Sequence, residues 1–350
     1  MTQVHNGIPD MGESVGTLNI LITDRIASEG IKLLHEQLPE AHIDERPGIK
    51  PDELKAIIGN YTALMVRSET QVTSDILAAA TQMKIVGRAG VGVDNIDVEA
   101  ATRQGIIVVN SPTGNSVAAA EHSVAMLLAL ARHIPTATAS MRAGKWEKSR
   151  FVGVEVRNKV LGIIGLGKVG MAVARCAQGL GMQVLAFSPS VPPDPVRQSG
   201  ITIMSLEEVL QQADFITLHT SLTNDNRGLL GEHDLRMMKP NARLINCARG
   251  GLIEEEALLK VLNDGHLAGV ALDVFSQEPV RDNETLKQII AHERVITTPH
   301  LGASTKDAQV GVAIDVAEQI VTVLRGGIPR ASVNGIGQTG NNFGARVVDL

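Results

Sequence analysis

Three residues in the second half of the chain could together hold an acid and move a proton. Arg249 stands in Asn246-Cys-Ala-Arg-Gly-Gly-Leu-Ile, Glu278 in Ala271-Leu-Asp-Val-Phe-Ser-Gln-Glu-Pro, and His300 in Thr297-Thr-Pro-His-Leu-Gly-Ala-Ser-Thr. A guanidinium can fix a carboxylate through a forked pair of hydrogen bonds, and a carboxylate beside an imidazole raises its pKa. An imidazole so tuned gives and takes a proton near neutrality. Each of the three follows an aliphatic run that reads as a strand, and open parallel α/β sheets bind their ligands beyond the carboxyl ends of their strands. A second motif lies upstream, where Leu161 to Ile164 runs into Gly165-Leu-Gly167-Lys-Val-Gly170 and an apolar helix with Val169, Val173 and Cys176 follows. Its glycines suit a tight turn, a close approach to a pyrophosphate and the packing of helix on strand. The helix start offers free N–H groups to the phosphates. A dinucleotide is therefore expected here. About 20 residues further on, where an acidic residue would grip the adenosine ribose, the sequence has Phe187-Ser188-Pro189-Ser190. Ser188 can hydrogen-bond a ribose hydroxyl or a phosphate, and no Arg lies immediately beside it. NAD is the expected cofactor, with NADP left open by Ser188.

Short aliphatic runs alternate with helical patterns from about Leu18 to Gly326, the signature of parallel sheets covered by helices. The first series of strands reads Asn19–Thr23, Ala41–Glu45, Ala63–Arg67, Lys84–Val86 and Ile106–Asn110, resembling the flavodoxin-like order. Pro51 suits a first helical turn and Thr73 a helix cap. The second series reads Lys159–Gly165, Gln183–Phe187, Ile201–Met204, Phe215–His219, Arg243–Cys247, Leu267–Val274 and Val295–Thr298, a complete doubly wound sheet. Helix 304–325 is left over once that sheet is complete. The expected organisation is a discontinuous flavodoxin-like α/β substrate domain, 18–116 with 304–334, and a Rossmann-type dinucleotide domain, 117–303. Flexible tails are expected at 1–17 and 335–350.

With 350 residues the chain exceeds the roughly 250 to 300 at which one hydrophobic core stops growing. Five Phe, one Trp and one Tyr leave the core to aliphatic side chains and supply no stacking platform for single-stranded nucleic acid. A net charge of -6 argues against broad attraction to nucleic acid or anionic membranes, so any anionic ligand needs a local basic site. Two such places are visible. Arg67-Ser68 ends a strand, and the backbone N–H groups of Arg88 to Gly92, including Gly90, Val91 and Gly92, can form an anion nest. The second is the cluster Arg142, Lys145, Lys148 and Arg150 around Trp146. The two cysteines, Cys176 and Cys247, make no disulfide framework and no metal-spaced cluster. The histidines, His122 and His219 among them, have no metal spacing and read as packing or surface residues, so no metal is expected. The N-terminal residues read as neither secretory signal nor transit peptide, and no apolar run reaches the 18 or so residues of a membrane helix. The expectation is a soluble, cytoplasmic protein with no membrane or nucleic-acid partner.

The strings Val86-Gly-Arg-Ala-Gly-Val-Gly-Val-Asp-Asn, Pro135-Thr-Ala-Thr-Ala-Ser-Met and Pro299-His-Leu-Gly-Ala-Ser-Thr-Lys resemble the D-isomer-specific 2-hydroxyacid dehydrogenase family, over about Leu18 to Asn334. The resemblance implies that Arg249, Glu278 and His300 are the catalytic set. It implies cofactor contacts at Lys168, Val169, Thr220, Cys247, Ala248, Arg249, Asp273 and His300 to Ala303, Gly302 included, with Asp273 holding the nicotinamide carboxamide. The basic segment at Lys148 would reach a neighbouring subunit, which implies a homodimer. The substrate is then a small anionic 2-hydroxy or 2-keto acid, and the basic residues favour a phosphorylated one over lactate or glycerate. Ser188 keeps an NADPH-linked hydroxypyruvate or glyoxylate reductase in view. A dinucleotide-sensing corepressor-like protein is the alternative from outside the enzymes. The chain stops soon after Asn334, so no feedback through a C-terminal regulatory module is expected.

Overall fold

The computed structural model describes residues 18–191, 196 and 199–336. Residues 1–17 and all but two of 335–350, for which tails are expected, lie outside them. Two separate parallel sheets form, and the chain divides into two compact units with breaks after Gly114 and after Ala308.

The first unit contains β1 (Asn19–Ile22), β2 (His42–Glu45), β3 (Ala63–Val66), β4 (Ile85–Arg88) and β5 (Ile107–Val109), in the order β2-β1-β3-β4-β5. All neighbours run parallel. Every residue of β3 is buried, as expected of a strand covered by helices on both faces. β4 extends two residues further than its aliphatic run suggests: Arg88 pairs with Val66 and so belongs to the strand. Pro51 does open its helix, Pro51–Ile57. Thr73 stands at the N-cap of Ser74–Ala79, but its hydroxyl makes no capping bond, whereas Asp97 caps Val98–Arg103 by accepting from Ala100 N–H. Helix Lys306–Leu324 belongs to this unit's core, where Val312, Ala313, Val316 and Ile320 cluster with Ile20, Ile22, Met65 and Ile85.

The second unit holds β6 (Val160–Ile164), β7 (Gln183–Phe187), β8 (Ile201–Ile203), β9 (Phe215–Leu218), β10 (Arg243–Asn246), β11 (Gly269–Leu272) and β12 (Val295–Thr297). Their order, β12-β11-β10-β9-β6-β7-β8, reverses direction at β6, where the glycine motif begins. Such a reversal opens a crevice at the carboxyl ends of the flanking strands. One face of the sheet is covered by helices Ser116–Ala131 and Lys168–Gly179, through Ala120, Leu127, Leu130, Val173 and Ala177. The opposite face packs Leu210, Leu235, Leu258, Leu262 and Leu286. Among the described residues no single helix is long and apolar enough to cross a membrane.

Ile320 is fully buried between Lys306–Leu324 and the first sheet. Ile320→Ala is expected to cost about 2–5 kcal/mol, read as a lower urea midpoint with little change in slope.

Candidate active site

The glycine motif is shaped as a phosphate cradle needs to be. Gly165 sits at φ +96, where a Cβ would meet the His219 carbonyl oxygen at 2.6 Å, and a Cβ on Gly170 would meet the Gly165 carbonyl oxygen at 2.2 Å. Neither position tolerates a side chain. Gly167 by contrast faces open space, with nothing within 4 Å of a Cβ placed there. It is the N-cap of Lys168–Gly179, and no side chain caps that helix, so its first-turn N–H groups are presented outward next to Lys168 and Val169. These residues fit a pyrophosphate. Ser188 does not sit as its position in the sequence suggests. It is buried, and its hydroxyl accepts a hydrogen bond from Leu166 N–H at 3.2 Å, so it braces the glycine turn from beneath. Thr220 follows β9 on the other side of the turn, half-buried, its hydroxyl donating weakly to Ser221 C=O at 3.4 Å.

The turn after β10 is organised by a residue that sequence reading left unassigned. Asn246 is buried, accepts from Ala248 N–H at 3.0 Å and donates to Arg249 C=O at 2.8 Å. Both bonds pin the backbone of the Cys247-Ala248-Arg249 turn. Next to it Gly250 leaves no room for a Cβ, which would lie 1.9 Å from Phe275 C=O. The Arg249 guanidinium donates to Ala248 C=O at 2.7 Å and lies close enough to His300 to oppose its protonation.

His300 and Glu278 are joined directly, with Nδ1 of the imidazole 2.6 Å from the carboxylate. The other carboxylate oxygen accepts from Phe275 N–H at 2.9 Å, so Glu278 is anchored before it meets the ring. The hydrogen bond to Glu278 raises the pKa of His300 above the ordinary 6.5, against burial, which works the other way. Burial alone would push Glu278 up. The bonds from His300 and Phe275 N–H outweigh it and hold Glu278 below its ordinary value.

His300 has φ +56, a left-handed conformation that costs an L-residue about 1–2 kcal/mol. Asp273 supplies what holds it there. Its carbonyl accepts from His300 N–H at 2.8 Å, and its carboxylate accepts from Leu301 N–H at 2.7 Å and Gly302 N–H at 2.8 Å. Thr298 hydroxyl donates to it at 2.5 Å, and His122 Nε2 lies 3.2 Å from the same oxygen and 3.1 Å from the Thr298 hydroxyl. Burial would raise the pKa of Asp273, but the bonds from His122, Thr298, Leu301 and Gly302 more than reverse this and keep it ionised. Ala303 completes this turn, half-buried.

His122 is therefore part of the brace beneath His300 and not a bystander on its helix. Its trace in the sequence is the Glu121-His122 break in the apolar run of Ser116–Ala131, a polar interruption on a helix that buries much of its length. His122, Asp273 and Cys247 bring potential ligand atoms within 4.8 Å of one another, a grouping no sequence spacing foretells. Burial pushes the Cys247 thiol up to about 12. His219 is likewise held neutral by burial, which pulls it down to about 4, while its Nε2 meets the Thr217 hydroxyl at 2.9 Å.

In the first unit, Arg67 and Ser68 follow β3. Among the described residues the Arg67 guanidinium, the Ser68 N–H and the Ser68 hydroxyl have no hydrogen-bond or ion-pair partner. The expected nest at Arg88 to Gly92 is smaller than the sequence suggests. Arg88 belongs to β4, Ala89 N–H donates to Val66 C=O, and Gly90 N–H donates to Arg88 C=O at 2.8 Å. Val91 and Gly92 keep their N–H groups without a partner among the described residues, while Asn110 holds Val91 C=O. A Cβ at Gly90 would lie 1.8 Å from the Arg88 guanidinium, so a side chain there would require Arg88 to move. Lys148, in the exposed turn Lys148–Phe151 of the second unit, makes no ion pair among the described residues.

Comparison with known proteins agrees with this architecture. Residues 124–302 match the NAD binding domain of the D-isomer specific 2-hydroxyacid dehydrogenase. A D-3-phosphoglycerate dehydrogenase of Synechocystis is 49% identical over 90% of the chain and 56% of its own length. A Thermus thermophilus protein of known crystal structure superposes with a TM-score of 0.82 at 31% identity, covering 90% of the chain and all of its own. A glyoxylate reductase from Paecilomyes thermophila gives a TM-score of 0.82 at 26% identity, covering 91% and 98%. The chain belongs to the D-isomer specific 2-hydroxyacid dehydrogenase family. Its second unit carries the family's NAD-binding domain. The chain spans about half the length of the curated relatives it matches.

Because a Cβ at Gly170 collides with Gly165 C=O, Gly170→Val should displace the turn. Its dissociation constant for NADH, from fluorescence titration, should rise by at least about tenfold, with far-UV circular dichroism retained.

Proposed function

We propose that the protein oxidises 3-phospho-D-glycerate to 3-phosphooxypyruvate with NAD, the reaction that opens serine synthesis. The observation that carries this is the His300–Glu278 pair at 2.6 Å beside Arg249, on a chain 43–49% identical to D-3-phosphoglycerate dehydrogenases from bacteria, an archaeon, a plant and mammals. When bound, NAD would supply the hydride acceptor for the substrate carbon, and NADH the hydride donor in the reverse direction. The chain's residues do the rest. Arg249 orients the substrate carboxylate and C2 oxygen by forked hydrogen bonds. His300, whose Nε2 has no hydrogen-bond partner among the described residues, takes the hydroxyl proton in oxidation and gives it back in reduction, while Glu278 stabilises the imidazolium. Gly165 to Gly170 hold the pyrophosphate, with Lys168 and Val169 at the helix start. Thr220, Cys247, Ala248, Gly302 and Ala303 line the remainder of the cofactor site, and Asp273 bounds the nicotinamide end.

Arg67, Ser68, Val91 and Gly92 are proposed to bind the anionic substrate, with Lys148 meeting the phosphate. Helix Ile134–Arg142 contributes no buried residue, and Ile134, Met141, Trp146 and Val152 are all exposed. A second copy of the chain covering this surface would make a homodimer. Light scattering should then give twice the chain mass, reduced to one in Met141→Glu/Trp146→Glu; a monomeric native protein would refute the dimer. Both cysteines are free, which suits a reducing cytoplasm.

A second reading is favoured by one observation. Ser188 supplies no carboxylate to an adenosine ribose, so NADPH is not excluded by charge, and a glyoxylate or hydroxypyruvate reductase follows from that. Steady-state rates with 3-phosphooxypyruvate, hydroxypyruvate and glyoxylate, each with NADH and NADPH, decide. The expected result is highest kcat/KM for 3-phosphooxypyruvate with NADH; higher values for glyoxylate with NADPH establish the second reading. Binding of NADH without turnover of any acid would instead support a sensor. Arg249→Lys keeps the charge and loses the fork, and should lower kcat/KM on the order of 10²- to 10³-fold.

A further inference from the structure

Asp24 lies two residues beyond β1 and is only 2% exposed, although it is a carboxylate without a cationic partner among the described residues. It is met instead by the loop that follows the neighbouring strand β3. Its oxygens accept from Arg67 N–H at 2.6 Å, Thr70 N–H at 3.1 Å and, more weakly, Glu69 N–H at 3.3 Å. The Thr70 hydroxyl donates to it as well, and is itself 2.9 Å from the Thr23 hydroxyl. From the other side, the Asn95 side-chain amide donates to Arg67 C=O at 2.8 Å and Thr70 C=O at 2.7 Å. The four-residue loop is thus held at both its N–H and its C=O groups by side chains from distant parts of the chain.

The pattern of use is selective. Of the four backbone N–H groups from Arg67 to Thr70, Asp24 takes three and leaves that of Ser68. What remains for a ligand is that N–H, the exposed Ser68 hydroxyl and the Arg67 guanidinium, all three suited to the oxygens of a carboxylate or phosphate. We propose that Asp24 is a positioning residue for the acidic substrate: it shapes the loop so that its one remaining N–H and Arg67 are offered together, with Asn95 as the opposing brace. This rests on the reading of Arg67 and Ser68 as substrate-binding residues.

The test compares the native chain with Asp24→Asn, Arg67→Gln and the double variant in steady-state reduction of 3-phosphooxypyruvate by NADH. Asp24→Asn places an amide N–H₂ against N–H donors and should raise KM for the keto acid about tenfold, with kcat within about threefold and NADH binding unchanged. In the double variant the rise in KM should be less than the product of the two single effects, since both act through the same loop. A loss of stability alone would lower the active fraction and leave KM in place, and that result overturns the proposal. KM raised by Arg67→Gln but not by Asp24→Asn overturns it too, while leaving the substrate reading intact. KM unmoved by Arg67→Gln overturns both. Should Asp24→Asn not fold, Thr70→Val and Asn95→Ser carry the same test: each must raise KM in the same direction, and an unchanged KM in both refutes the role.

Discussion

A carboxylate removed from water stays ionised only where donors replace its hydration, and one left unmet costs several kcal/mol. Asp273 meets that condition with two backbone N–H groups, the Thr298 hydroxyl and the His122 imidazole. In satisfying itself it fixes the turn that carries His300. The left-handed backbone at His300 would relax if Leu301 and Gly302 were released, and the imidazole would leave Glu278. Arg249 is held by the same logic one strand away, through Asn246. The site is therefore a set of turns, each fastened to a buried polar side chain at the end of a strand.

Asp24 repeats the arrangement in the other sheet. In both cases an aspartate just past one strand, β1 or β11, reaches the loop after a directly paired parallel neighbour, β3 or β12. Parallel neighbours lie about 4.8 Å apart, so a side chain as short as Asp spans the gap without strain. Strand ends in a parallel sheet point the same way, which is why such fasteners and the functional residues they hold gather at one edge.

Much of this was legible in the sequence, and for identifiable reasons. Strands buried on both faces are continuous aliphatic runs, so Phe215–Leu218 or Ala63–Val66 announce themselves within a residue or two. Arg249, Glu278 and His300 are visible because each follows such a run. The fasteners were not legible, because a bond between Asp24 and Thr70, or between His122 and Thr298, joins residues 46 and 176 positions apart with no local pattern. Ser188 was conspicuous as a departure from the acidic ribose contact, yet its actual partner, Leu166 N–H, emerges only from the packing of β7 against β6. Arg88 reads as the start of an anion loop because the aliphatic run stops at Val86, and only pairing with Val66 assigns it to β4.

In the proposed oxidation, Glu278 tunes His300 as the acid–base group. The most direct measurement is the pH dependence of kcat/KM for 3-phospho-D-glycerate with NAD, in the native protein and in Glu278→Gln. His300 must be neutral to accept the hydroxyl proton, and its pKa is raised by Glu278, so kcat/KM should climb with pH through a midpoint above the ordinary 6.5. In Glu278→Gln the midpoint should fall back toward that value as the rate drops. A midpoint that stays where it is when Glu278 is neutralised would show that Glu278 does not set the pKa of His300.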